Sequence, residues 1–178
     1  MFLKSKKNKN SGYTLVEVIV VISIMAVLTA IIYSSFDISK AQSRDRERVS
    51  DISVIQIALE QYFQKYGVYP VSLSSIVEGN PNESIKIKFL SEIPKDPSTN
   101  KIYSESTNSG YFPMTKTKDS LNCISYQLWT TFENSNSYLD SKKGFDSTSL
   151  SKDIYECGVE QHTGIDASSS PLVYDVMP

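Results

Sequence analysis

After a lysine-rich start the chain is apolar almost without interruption to Phe36, and near residue 37 the pattern changes in kind. From Val18 to Phe36 there are 19 consecutive uncharged residues. That length predicts a helix able to cross a bilayer core, which takes about 20 residues. From Ser39 to Tyr66 polar residues enter, and Ile52, Ile55, Leu59, Tyr62, Phe63 and Tyr66 recur at spacings of three and four. This is the signature of an amphipathic helix with one apolar stripe. Neither Pro nor Gly occurs between Tyr13 and Tyr66, so the two patterns predict one helix of 54 residues, about 80 Å long at 1.5 Å per residue. Gly67 stands where a helix ends in a left-handed residue, and Pro70 lies just beyond as a stop.

Residues 67–178 hold all seven prolines and 20 serines, a composition of short elements joined by loops. Val71 to Val77 reads as a short helix. The stretch Ile85-Lys-Ile-Lys-Phe-Leu is too short to assign. The clearest strand is Ile124 to Phe132, where Ile124, Tyr126, Leu128 and Phe132 alternate with Ser125, Gln127 and Thr131. Trp129 falls on its outer face, as a contact or as a half-covered side chain. Pro171 to Val176 reads as a final edge strand. A small antiparallel sheet laid on the apolar stripe gives an α+β fold with four parts: residues 1–12, 13–36, 37–66 and a loop-rich head, 67–178.

Charge sharpens this division. The first 12 residues carry Lys4, Lys6, Lys7 and Lys9 and no acid; without those four, 14 basic residues face 20 acids, a balance of −6. A chain of that sign, with its remaining basic residues scattered, is not built to capture nucleic acid. The basic start and apolar run have two readings, a cleaved secretory signal or a retained membrane helix. Three features favour retention: the run exceeds the usual 7–15 residues or so of a signal, Leu28 spoils the small-residue exit at Thr29-Ala30, and Glu17 opens the segment. Lys40, Arg44, Arg46 and Arg48 at the far end balance the leader's lysines, so charge alone does not orient the helix. Two cysteines in the distal part favour an oxidising compartment for the head.

The boundary at Gly12 carries the chemistry. A cut after Gly12 removes every leader lysine and creates an α-amine on Tyr13, and glycine offers a protease a backbone free of side chain. Glu17 then lies four residues from that amine on one helical face. A carboxylate at bilayer depth costs roughly 2.5–3.5 kcal/mol on insertion scales and wants a partner. The Tyr13 amine of the same chain or of a neighbour would serve. Alternatively, Glu17 simply favours the positive end of its helix, worth about 0.3–1 kcal/mol.

Lysines, then Ser11-Gly12, then Tyr13-Thr14-Leu15-Val16-Glu17 and a long apolar helix: this resembles the class III signal of the type IV pilin and type II secretion pseudopilin family. Tyr13 stands where the family usually has Phe, and Ser34-Ser35 stand where it often has a proline. Arg44 to Pro70, Ile93-Pro-Lys-Asp-Pro97 and Cys123-Ile-Ser-Tyr-Gln-Leu are similar to the helix, exit turn, loop and first sheet strand of major pseudopilins. The resemblance implies cleavage by a prepilin peptidase between Gly12 and Tyr13, N-methylation of Tyr13, and a Glu17 that pairs with a neighbouring subunit's amine. It further implies polymerisation into a secretion pseudopilus or a type IV pilus. The partners it implies are copies of the chain, minor pilins, an inner-membrane platform protein, an assembly ATPase and, before assembly, membrane lipid. The head would lie outside the cytoplasm, first at the inner membrane and later in a periplasmic or extracellular filament.

Cys123 and Cys157 are either two buried thiols or a disulfide closing a loop of about 35 residues, worth roughly 4 kcal/mol in the chain-entropy model. Major pseudopilins often hold calcium in a loop matching the Ser-rich tail, which contains Asp140, Asp146, Asp153, Asp166 and Asp175. Their spacing fits no EF-hand loop and solvated acids are the other reading, so calcium is a candidate cofactor without assigned ligands. Lone His162 reads as an exposed loop residue. With Asp153, Glu156 and Glu160 it makes no catalytic or metal set, and 29 serines with one histidine would yield a serine triad by chance. Arg44-Asp-Arg-Glu-Arg48 alternates in sign like a solvated helix face, with ion pairs between chains as its functional version. A structural, non-enzymatic subunit is therefore expected. The alternatives are a minor pilin whose head binds DNA or a surface, and a membrane-tethered enzyme.

Overall fold

A computed structural model of the chain describes residues 12–104, 108–116, 120–134, 155–158, 165 and 172–178. One helix, α1, runs from Leu15 to Tyr66 over 52 residues. It ends as the sequence requires: Gly67 takes φ +72°, and its N–H donates to the Phe63 carbonyl at 2.7 Å, a left-handed cap that most side chains would resist. A single turn, α2 (Ser75–Glu78), follows, shorter than expected and shifted towards the C-terminus. Residues 72–74 are tied into a tight turn instead, in which Ser75 N–H donates to Ser72 O and Ile76 N–H to Leu73 O.

Four strands form one antiparallel sheet among the described residues: β1 (Ser109–Thr115), β2 (Ser125–Thr131), β3 (Tyr155–Glu156) and β4 (Val173–Val176), in the order β3-β1-β2-β4. β4 pairs with β2 from Leu128↔Val176 to Thr131↔Val173, the edge strand that the sequence indicated. β1, which the sequence did not reveal, pairs with β2 from Ser109↔Thr130 to Met114↔Ser125. Gly110 and Pro113 concealed it, because both residue types are scarce in strand interiors. Gly110 has a packing reason: it faces Trp129 across the ladder, and a Cβ there would come within 2.8 Å of the indole Nε1. Trp129 is accordingly not half-covered but only 6% exposed.

Two compact units divide the chain, residues 1–40 and 41–178. In the first, every described side chain from Gly12 to Lys40 is exposed. In the second, Ile52, Ile55, Ala58, Leu59 and Tyr62 of α1 form one core with Tyr111, Tyr126, Leu128, Phe132 and Tyr174 of the sheet region. Phe63 and Tyr66 are partly buried beside them. Tyr126, Leu128 and Phe132 enter the core as expected, but the alternation with exposed positions does not hold. Gln127 and Thr130 are wholly buried as well, because the sheet is covered on both faces there, while Ile124 lies before the strand and is 42% exposed.

Candidate functional site

Thr14 and Glu17 open α1 with a reciprocal cap. Glu17 Oε2 accepts from the Thr14 N–H at 2.8 Å and from its hydroxyl at 2.9 Å, while the Glu17 N–H donates back to Thr14 Oγ1 at 3.2 Å. Threonine followed three residues later by glutamate is the capping-box pattern, which satisfies amide donors that the first helical turn leaves without partners. Thr14 is the residue that reading Glu17 by itself overlooked, and the Thr-x-x-Glu spacing was the available signal. Both bonds to the carboxylate fall on Oε2. Gly12 and Tyr13 precede the helix, exposed, and a Cβ on Gly12 would meet nothing within 4 Å. Further along, Ser23 Oγ donates to Ile19 O at 2.7 Å and Thr29 Oγ1 to Met25 O at 2.8 Å. The Ser23 and Thr29 hydroxyls are thus satisfied within the helix itself. By length and composition this helix can cross a membrane, and none of its apolar window is buried.

The charged run Arg44–Arg48 departs from the expected solvated face. Arg46 and Glu47 are exposed, but Arg48 and Asp45 are 3% and 1% exposed and belong to a buried clasp within the chain. Arg48 Nε donates to Asp96 Oδ2 at 2.7 Å, Nη1 to Asp45 Oδ1 at 2.7 Å and to Glu133 Oε1 at 3.1 Å, and Nη2 to Ser98 Oγ at 2.8 Å. Arg44 forms a two-pronged pair with Glu133. Asp45 also accepts the N–H groups of Glu133 at 2.9 Å and Asn134 at 3.1 Å. Three segments distant in sequence therefore converge on one guanidinium. The hydrogen bonds from Arg44, opposed by partial burial and reinforced by Ser98 and Arg48, hold the Glu133 carboxyl at about 2. Burial pushes Asp96 up, but Arg48 and the N–H groups of Thr99 and Ser98 outweigh it and hold the carboxyl below its usual range. Asp51 goes the other way, raised by burial although the Tyr103 hydroxyl donates to it at 2.8 Å.

Cys123 and Cys157 are bonded to each other. Of the five tail acids considered for calcium, Asp140, Asp146, Asp153 and Asp166 lie outside the described residues. Asp175 is buried in β4 and accepts from Gln127 Nε2 at 3.2 Å, so it is not a solvated loop acid. His162 and Glu160 also lie outside, and Glu156 is in β3. No group of three or more His, Cys, Asp or Glu side chains is placed to hold a metal among the described residues. What this arrangement offers chemically is an exposed Gly12–Tyr13 peptide bond, a capped carboxylate and an uncovered apolar helix.

Comparison with known proteins bears on the same residues. Residues 7–33 match the prokaryotic N-terminal methylation motif, a window that includes Gly12, Tyr13 and Glu17. The type II secretion system core protein G of Vibrio cholerae is 28% identical over 99 residues, covering 52% of this chain and 68% of that protein. The protein of the same name from Aeromonas hydrophila is 28% identical over 100 residues, covering 52% and 70%. No solved structure matches the chain.

Proposed function

We infer that this pilin-like chain, of the type IV pilin and type II secretion pseudopilin kind, is a structural subunit of a type II secretion pseudopilus and not an enzyme. A prepilin peptidase cuts between Gly12 and Tyr13, and the new Tyr13 amine is methylated. The apolar helix anchors the subunit in the inner membrane with the head outside the cytoplasm. A platform protein and an assembly ATPase then move it from lipid into a filament of copies together with minor pilins.

The observation that carries this reading is the methylation-motif match over residues 7–33, on a helix whose described side chains are all exposed through Lys40. Apolar side chains on every side need lipid or like helices around them, and a head-to-tail interface that does not close yields a filament. Glu17 supplies register. Thr14 occupies Oε2 and lowers the cost of holding the carboxylate in lipid, while Oε1 is left to meet the Tyr13 amine of a neighbouring subunit. Arg44 and Arg48 are committed to carboxylates, which weighs against their use in a DNA-binding head.

Intact-mass analysis of the protein from its own membrane tests the processing step. The expected species begins at Tyr13 and carries one added methyl group. A retained Met1, or a start between Thr29 and Ser35, overturns the reading. Gly12→Val should block the cut, because a branched side chain restricts the backbone and fills the protease groove.

A further inference from the structure

Cys123 and Cys157 are both wholly buried, and the backbone around them ties together three segments of the head. The Cys123 carbonyl accepts from the Tyr69 N–H at 2.9 Å, just after the exit of α1. The Cys157 N–H donates to Pro113 O at 3.0 Å, and the Gly158 N–H donates to Ser120 O at 3.1 Å. β3 pairs with β1 through a short ladder, Met114↔Glu156 and Thr115↔Tyr155. Gly158 takes φ +93°, and a Cβ on it would collide with the Val71 side chain. The chain beside the disulfide is thus seated under Val71 in a conformation and a space that suit glycine.

We propose that this corner is a one-way redox latch: the Cys123–Cys157 bond forms while residues 155–158 are undocked, and seating Gly158 against Val71 then closes it to thiols. The reason is access. Thiol–disulfide exchange needs a thiolate to reach a sulfur directly, and sulfurs without exposure offer no approach, so the bond is made before it is buried. In the forming step one cysteine thiolate attacks the disulfide of an oxidoreductase, giving a mixed disulfide and releasing one thiolate of that protein. The second cysteine thiolate then attacks the mixed bond. The two cysteines lose two protons and two electrons, and the oxidant departs as a dithiol. Placing that oxidant outside the cytoplasm rests on the proposed orientation; the latch itself does not. Without the bond, the segment is held by its short ladder, the backbone bonds of Cys157 and Gly158 and its packing, and loss of the cross-link favours opening by roughly 100- to 1000-fold in the chain-entropy model.

The test uses the full chain in detergent, with dithiothreitol as the reductant and thiol alkylation followed by mass analysis as the readout. In the unsubstituted chain, reduction should become independent of dithiothreitol at high concentration, because opening of the corner limits it. Gly158→Ala should still form the disulfide but lose it about 100-fold faster, in proportion to reductant, while amide exchange in β1, β2 and β4 stays slow. Val71→Ala keeps Gly158 and removes its cover; it should accelerate reduction about tenfold. Equal rates for the unsubstituted chain and both variants overturn the latch. So does an unsubstituted chain reduced as fast as in urea, or a Gly158→Ala chain recovered with free thiols, since oxidation would then depend on docking. None of these readouts involves leader cleavage or filament formation.

Discussion

Between Leu15 and Ile32 every residue of α1 is exposed, valines and isoleucines included, whereas from Ile52 to Tyr62 the same residue types alternate between exposed and nearly inaccessible. The acids follow suit. Glu17 is bonded to Thr14, three residues away. Asp45 holds a guanidinium from its own helix and two backbone N–H groups from residues 133 and 134. One continuous helix thus contains a part that packs against its own chain and a part whose apolar side chains stay exposed. Among the described residues the second part is packed within the chain. The first leaves its apolar surface uncovered, and the proposed function assigns that surface and the second Glu17 oxygen to assembly.

The largest effect that separates the two parts is expected at the clasp. Arg48→Met removes the cation and leaves Asp45 and Asp96 buried without it, and breaking a buried pair this way costs about 3–5 kcal/mol. Denaturant unfolding of the full chain in detergent should show that loss, with leader removal unchanged. Unaltered stability would mean the carboxylates are solvated and the clasp is not a buried unit. Next comes a paired truncation. Leu59→Ala, at a fully buried core position, should destabilise the head by about 2–5 kcal/mol. Leu28→Ala, on the exposed part, should leave head unfolding unchanged and act on assembly alone. Similar losses from both would dissolve the distinction.

The smallest effect is a pH dependence confined to the head. Glu133 and Asp96 titrate below their ordinary range when folded. Their stabilisation is therefore complete above the unfolded values, near pH 4–4.5, and is lost as pH falls through the folded ones, near 2 for Glu133. Asp51, raised by burial, has the opposite sign and offsets part of the loss, since protonation favours its folded form. Because Glu133 is about a third exposed, solvent screening limits its share to about 1 kcal/mol or less. The unfolding midpoint should drop between roughly pH 4.5 and 2 and drop less steeply in Glu133→Gln. An identical slope in the variant would assign the acid sensitivity elsewhere.

Helix α1, its Gly67 exit, β2 and β4 were legible because hydrophobic spacing and turn residues are local signals. β1 was not. Gly110 makes room for an indole brought from the neighbouring strand 19 residues away in sequence, and Pro113 sits inside the strand opposite Tyr126, so both read as breakers until the pairing with β2 is known. The clasp failed to show for a related reason. Arg-Asp-Arg-Glu-Arg looks the same whether water or protein surrounds it, and the deciding acids lie 48 and 85 residues beyond Arg48. At the N-terminus Gly12 and Glu17 stood out through their pattern, while Thr14 was overlooked although the Thr-x-x-Glu spacing carried its signal, and the reciprocal hydrogen bonds brought it out.

The measurement that bears most directly on an unfinished first part and a finished second one is assembly of Glu17→Ala. Losing this side chain removes a carboxylate that is costly in lipid and, on the proposed register, the partner of the Tyr13 amine of the adjoining subunit. Filaments sheared from cells and pelleted, compared with membrane levels and leader removal in the same cells, give the readout. The account predicts membrane levels and processing equal to the unsubstituted protein, with filaments lost. Filaments in normal amount from Glu17→Ala would reduce Glu17 to a helix cap and contradict the claim that assembly completes this part of the molecule.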